Sequence, residues 1–193
     1  MQCSEIQTSN EATLDFIICV ASSVSWATYL GPIILLVSAS VAFFGVLKAR
    51  ETARKKATLD LIEKVESSEH YRRRHSVFSY YRRQGGFGSL HNPKESKDTE
   101  DRHAVQDYLN HYELVSIGIC RGILDKGFYK EWMLGPFVRD WNAASAYIQR
   151  ERWKWDASSK EWQYRRRLYG NFQKIALDFS DDAINLVEDN KPS

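Results

Sequence analysis

Arginine and aromatic side chains are interleaved along residues 71–83, and both types can bind ligands. The arginines of this segment are Arg72, Arg73, Arg74, Arg82 and Arg83. Guanidinium groups beside stackable rings are typical of nucleic-acid surfaces, but the same charges suit a helix that lies on anionic lipid. A solvated amphipathic helix with no ligand is the third interpretation. A second basic run, 165–167, is a weaker candidate, because Tyr164 and Leu168 place it on the solvated side of a predicted core helix.

A polar pair, Asn110 and Glu113, is the second candidate site. It lies beside an apolar helical stripe, and a carboxylate next to a buried face must find a partner. We predict a structural pair, in which Glu113 binds an arginine of another helix such as Arg121 or Arg150. A functional site is the alternative interpretation.

The common catalytic motifs are absent from the sequence. It has no Gly-x-x-x-x-Gly-Lys phosphate loop, no Gly-x-Ser-x-Gly elbow and no His-Glu-x-x-His metal pair. The cysteines and histidines do not have the spacing of a zinc site. We therefore predict a protein that is not an enzyme, with no catalytic residue, no metal, no cofactor and no evident small-molecule substrate.

The longest uncharged stretch of the chain runs from Phe16 to Leu47. Because ~20 apolar residues span a bilayer as a helix, we predict a transmembrane helix over 26–47. Residues 1–25 then form an extracytoplasmic or interfacial segment. A secretory signal peptide is disfavoured, because such a peptide has a basic start and this one carries three acids and no Lys or Arg before the stretch.

The charges that flank the span predict its orientation. Five basic residues follow it closely: Lys48, Arg50, Arg54, Lys55 and Lys56. Since basic flanks are retained in the cytoplasm, we predict a single-pass protein with its N-terminus outside and its C-terminal part in the cytoplasm. The lipid bilayer is its first partner.

Small residues recur on one face of the predicted span, at Ser38, Ala42 and Gly45. Such residues let transmembrane helices approach closely and associate by packing, so we predict a homo-oligomer. Chance is the alternative, because small residues are common in spans. The span carries no charge, so any pore through it would be a hydrophobic constriction.

The remaining sequence predicts an all-α fold, in which the N-terminal transmembrane helix is followed by a cytoplasmic helical bundle over 48–180. An acidic tail at 181–193 is expected to fray. Pro136 is predicted to open a new helix. The predicted helices cover 48–66, 70–84, 102–124, 128–134 and 160–179. A further helix is predicted to start at Pro136 and to carry Phe137 to Ile148, with a polar interruption at 156–159 and a loop at 85–99.

One segment, 107–125, carries a family resemblance. Its sequence is DYLNHYELVSIGICRGILD, in which Leu-Asn-x-x-Glu leads into Ile-Gly-Ile and then Gly-Ile-Leu-Asp. With the later Trp132, Trp141, Ile148 and Arg150, and with the single span and basic flank before it, it resembles a bacterial family catalogued as domain of unknown function 4760. The resemblance implies the inner membrane of a bacterium.

Similar to that family are the small membrane accessory proteins of type VI-B CRISPR systems, which act as oligomeric pores in phage defence. This similarity implies a self-associating pore or scaffold in antiviral defence that acts without enzymatic chemistry. A defence-system protein or RNA is then the expected partner.

The alternative is a membrane-tethered RNA-binding module or a divergent helical nuclease. Helical nucleases of the relevant kind place an arginine and a histidine with four to six residues between them. None of the five histidines has an arginine at that distance before it, and Arg72 is too close to His75. An RNA-binding module would bind with an affinity that falls steeply as salt rises.

Overall fold

The computed structural model describes residues 27–188, and most of them are helical. Within this range the chain forms α1 (Ala27–Ser67), α2 (Glu69–Arg83), α3 (Ser96–Cys120), α4 (Lys126–Arg152) and α5 (Gly170–Phe179). A short 3-10 helix, Gly88–His91, precedes α3. Strands β1 (Trp153–Asp156) and β2 (Glu161–Tyr164) separate α4 from α5. The predicted segment 1–25, Trp26 and the last part of the acidic tail lie outside the described residues.

The chain divides into two units between Arg50 and Glu51. In the first unit every residue from Tyr29 to Arg50 is exposed. Among the described helices, α1 is the one that is long and apolar enough to cross a membrane. An apolar surface of this size is rare on a monomer in water, so it needs lipid or another protein against it.

In the second unit the end of α1 is fixed by Thr58. Its side chain is fully buried; its Oγ1 donates to the carbonyl of Arg54 at 2.9 Å and accepts from the backbone N–H of Asp125 at 2.8 Å. The Asp125 side chain in turn accepts from the N–H of Phe128 and caps α4. One threonine therefore joins α1 to the connection between α3 and α4.

Two glycines shape that connection. Gly122 has φ +66°, and the N–H of Ile123 returns to the carbonyl of Gly118 at 2.9 Å, which is a Schellman helix end. A Cβ on Gly118 would lie 2.8 Å from the Leu124 side chain. The Ile-Gly-Ile and Gly-Ile-Leu-Asp motifs thus have a structural explanation: they end α3, allow close packing and start α4.

The core forms around α3, which packs against α2 and α5. The predicted stripe of α3 is buried at Tyr108, Tyr112, Val115 and Ile119. The Tyr112 ring stacks on Phe172 of α5 with centroids 4.7 Å apart, and Phe137 of α4 meets Phe172 edge-on at 4.8 Å. These aromatic contacts contribute more to the stability of the fold than their buried area alone would.

The predicted break at Pro136 is wrong. Pro136 lies inside α4, which runs without interruption through it. A proline inside a helix costs about 3 kcal/mol, but Tyr129 and Met133 before it and Phe137 and Trp141 after it are all buried. Burial of one continuous apolar face outweighs the local cost.

The prediction of helix over 160–179 is wrong in its first half. Residues 161–164 form β2, which pairs antiparallel with β1 and places Trp155 opposite Trp162. The basic run 165–167 lies in the exposed loop after β2 rather than on a helix. The fold is therefore mostly helical with one hairpin, and α5 begins only at Gly170.

Arg152, which is 1% exposed, holds that loop in place. Its guanidinium donates to the carbonyls of Leu168 and Tyr169 and to the side-chain oxygen of Gln173, at 3.0, 3.5 and 2.7 Å. Neutral oxygens solvate the charge at these contacts by accepting its hydrogen bonds, and a buried ion with fewer acceptors would be costly. Arg152 thus links the end of α4 to the start of α5.

The acidic segment that was expected to fray is packed as far as the structure describes it. Ala183 is buried, and the indole N–H of Trp141 donates to the carbonyl of Ile184 at 2.8 Å. Gln149 donates to the carbonyl of Val187 at 2.6 Å. Side chains of α4 thus satisfy the backbone of this segment.

Glu113 caps the start of α5. Its Oε1 accepts from the backbone and side-chain nitrogens of Asn171 at 3.2 and 2.7 Å, and its Oε2 accepts from the N–H of Phe172 at 2.8 Å. The predicted arginine partner is wrong: the carboxylate serves the N–H groups that a helix start leaves unpaired. The negative charge also suits the positive end of the helix dipole.

Replacing Glu113 with alanine should therefore destabilise the protein through α5. Loss of the cap and exposure of two unpaired N–H groups predict a decrease of about 2 kcal/mol in the free energy of unfolding. Denaturant unfolding of the full chain in detergent measures it. Glu100→Ala, at an exposed position of the same helix, is the matched control, and an equal effect of the two changes would contradict the capping role.

Candidate functional site

Asp140, on the buried face of α4, is the centre of the candidate site. It is completely buried. Its Oδ1 binds the guanidiniums of Arg82 from α2 and of Arg139, the latter at 3.1 Å. Its Oδ2 accepts from the hydroxyls of Tyr108 and Tyr112 of α3, at 2.9 and 3.1 Å. Side chains of α2, α3 and α4 therefore meet at one carboxylate.

The tyrosines of this cluster are donors at neutral pH. Burial, and then the charge of Asp140, raise the pKa of Tyr108. Burial likewise raises the pKa of Tyr112, with smaller effects from Tyr108 and Asp140. A phenol that keeps its proton can donate a hydrogen bond to the carboxylate, so each oxygen of Asp140 accepts from two donors.

A cleft of about 340 Å³ lies over this cluster, and we call it the Asp140 cleft. Its walls come from the end of α1 and from α2, α3 and α4. The lining side chains are Val65, Glu66, Tyr71, Arg72, His75, Tyr108, Tyr112, Trp132, Met133, Pro136, Arg139 and Asp140. Mixed aromatic and charged walls of this kind are typical of small-molecule sites.

The structure separates the five arginines of the predicted basic surface. Arg82 binds Asp140, and Arg74 forms an ion pair with Asp107 at 2.6 Å. Arg72 lines the Asp140 cleft, whereas Arg73 and Arg83 are exposed elsewhere on α2. Two of the five charges thus join helices together, and three remain accessible.

The predicted polar pair is also separated. Glu113 binds α5, while Asn110 is exposed and lines a second groove, of about 460 Å³, beside His111 and Leu114. Burial lowers the pKa of His111 to about 4, so this imidazole is neutral at physiological pH. Ser38, Ala42 and Gly45 lie in the exposed part of α1.

A second hydrogen-bonded carboxylate, the partly buried Glu151, lies on α4 and does not line the cleft. It accepts from His91 at 3.1 Å and from Arg102 at 3.2 Å. Burial raises its pKa, but the hydrogen bond from His91 and the charge of Arg102 outweigh this and lower it. The group links the 3-10 helix, α3 and α4, which is a structural role.

In the described residues no three His, Cys, Asp or Glu side chains form a group that could hold a metal.

Asp140 was not among the sequence-predicted residues, although a signal for it exists. It lies three residues after Phe137 and next to Trp141, so it falls on the apolar face of α4. A carboxylate on such a face has to find donors. The donors themselves, Arg82 and the two tyrosines, lie on other helices, and helical spacing within α4 does not indicate them.

Fold and site together define a class: a mostly helical domain, organised around a buried carboxylate, that follows one long apolar N-terminal helix. The chain belongs to the family described as domain of unknown function (DUF4760), whose profile matches residues 32–179. The resemblance of residues 107–125 is thereby confirmed. No curated protein and no solved structure matches the chain.

Replacing Asp140 with alanine should leave Arg82 and two tyrosine hydroxyls without their acceptor inside the core. Breaking a buried ion pair from one side predicts a loss of about 3 kcal/mol or more in the free energy of unfolding. Asp140→Asn, which keeps one acceptor oxygen, should lose less. Denaturant unfolding of the full chain measures both, with Asp60→Asn, at an exposed position of α1, as the control. Equal stability of Asp140→Ala and the control would contradict the role of Asp140.

Proposed function

We propose that the protein is a single-pass inner-membrane protein that self-associates and acts without enzymatic chemistry, as a pore or a scaffold in phage defence. The observation that carries the proposal is the exposed apolar part of α1, residues 29–50. Water does not solvate such a surface favourably, and a bilayer does. The role in phage defence rests on the resemblance to the CRISPR accessory proteins alone.

The orientation we propose has the N-terminus outside and the helical domain in the cytoplasm. It is supported by the basic residues that follow the span, among them Arg54, Lys55 and Lys56, which are exposed on α1. Exposed lysines and arginines at a membrane surface are attracted to anionic headgroups. The same charges oppose export of this flank.

The absence of enzymatic chemistry is proposed from the state of the polar groups. Asp140 and Glu151 are each held by several donors, and Glu113 is engaged at a helix start. A carboxylate used in this way positions helices. Self-association is proposed from Ser38, Ala42 and Gly45, whose small side chains share one face of α1 and are exposed.

The orientation predicts the behaviour of a reporter fused after Ser193. A fluorescent protein that matures only in the cytoplasm should be bright there, because the basic flank stays inside. An alkaline phosphatase fusion, which needs the periplasm, should be inactive at the same position. The opposite pattern would overturn the orientation.

Self-association through the span predicts that a double change of Ala42 and Gly45 to leucine reduces the oligomer. Larger side chains on the packing face hold neighbouring backbones apart while hydropathy, and thus insertion, is kept. Sizing in detergent with light scattering measures the mass of the protein.

The matched control is a double change of Ala39 and Ser40 to leucine, which adds similar bulk to other faces of the same helix. The control should keep the wild-type mass. If the Ala42 and Gly45 variant keeps the mass of the wild-type oligomer, the subunits associate through another surface. A monomeric wild type would overturn the proposal.

A further inference from the structure

We propose that the Asp140 cleft binds a nucleoside phosphate, with the phosphate on Arg72 and Arg139 and the base against the aromatic walls. This goes beyond the proposed function, in which no small molecule takes part. The volume, about 340 Å³, lies in the range of about 300–1,000 Å³ that small-molecule sites occupy. The walls contain arginines and aromatic rings, which together suit a ligand with an anionic group and a planar ring.

The anionic part of the ligand is indicated by two guanidiniums with unused donors. The guanidinium of Arg72 has no acceptor among residues 27–188, whereas those of Arg74 and Arg82 are bound by carboxylates. Arg139 gives only its Nε to Asp140, its terminal nitrogens find no acceptor in the same range, and its side chain is 54% exposed. Guanidinium forks match the oxygens of a phosphate and bind it through paired charged hydrogen bonds.

The charge of the cleft permits an anion despite the carboxylate at its floor. Asp140 is compensated by Arg82, which reaches it from α2. Glu66, at the end of α1, is the other acid of the walls. The lining itself carries two arginines, Arg72 and Arg139, and the two acids. Because Arg82, from outside the lining, neutralises Asp140, Arg72 and Arg139 face only Glu66 as an uncompensated acid, which leaves an excess of one positive charge for an anion.

The planar part of the ligand is indicated by the rings on the walls. Tyr71 and His75 have ring planes within 6° of parallel, and their centroids lie 6.5 Å apart. Trp132 lines the same cleft from α4. Bases stack on such rings with little preference among bases, because every base has a π face. The walls thus favour a nucleoside over phosphate alone.

The chain offers a matched pair of variants for the test, Arg72→Gln and Arg73→Gln. The two arginines are neighbours on α2 and both are exposed, but only Arg72 lines the cleft. Both variants remove one positive charge from the same helix turn. A difference in ligand affinity between the two variants is therefore due to the position of Arg72 in the cleft and not to the overall charge of the surface.

The experiment is calorimetric titration of the full chain in detergent with AMP, and separately with adenosine and with orthophosphate. Wild type should bind AMP more tightly than either fragment. Arg72→Gln should weaken AMP binding by about tenfold, as loss of a charged hydrogen bond predicts, while Arg73→Gln should bind as wild type does. His75→Ala should weaken AMP binding without weakening orthophosphate binding.

Three results would overturn the proposal. The first is no binding of AMP to the wild type, and the second is equal weakening by Arg72→Gln and Arg73→Gln, which would indicate the charge of the surface. The third is orthophosphate binding as tight as AMP binding, which would show that the nucleoside part of the ligand contributes nothing to binding. A single-stranded RNA that binds more tightly than AMP and is weakened equally by both variants would instead indicate a nucleic-acid surface on α2.

Discussion

A negative charge placed inside the core, at Asp140, is the constraint on which the domain depends. Removing a carboxylate from water is costly unless donors surround it. Four donors do so here, from Arg82, Arg139, Tyr108 and Tyr112. Three of these donors lie on α2 and α3, and the carboxylate lies on α4. The hydrogen bonds to this one group therefore fix the positions of α2 and α3 relative to α4.

The same constraint shapes the cleft. Tyr108 and Tyr112 are held at Asp140 and line the cleft beside it, while Arg72 and His75 of α2 line its walls. At the start of α5, Glu113 of α3 and Arg152 of α4 perform comparable tasks. Hydrogen-bonded polar side chains thus join the helices of this domain at several points.

How much of this the sequence predicts depends on the range of the interaction. The helices α1, α2 and α3 and the buried stripe of α3 were predicted from apolar spacing, which is a local signal. The helix through Pro136 was missed because tertiary burial outweighs a local breaker. The hairpin was missed because its second strand, which contains Trp162, was interpreted as the start of the helix at 160–179. Partners on other helices, such as Arg82 for Asp140 and Asn171 for Glu113, carry no signal in one sequence.

A double-mutant cycle on Arg82 and Asp140 tests the central claim most directly. The free energies of unfolding of wild type, Arg82→Met, Asp140→Asn and the double variant give the coupling between the two side chains. If the pair joins α2 to α4 as described, each single change already removes the ion pair between the two side chains, and the coupling should be about 2 kcal/mol. Additive effects, with a coupling below about 0.5 kcal/mol, would contradict the claim that this buried charge organises the domain.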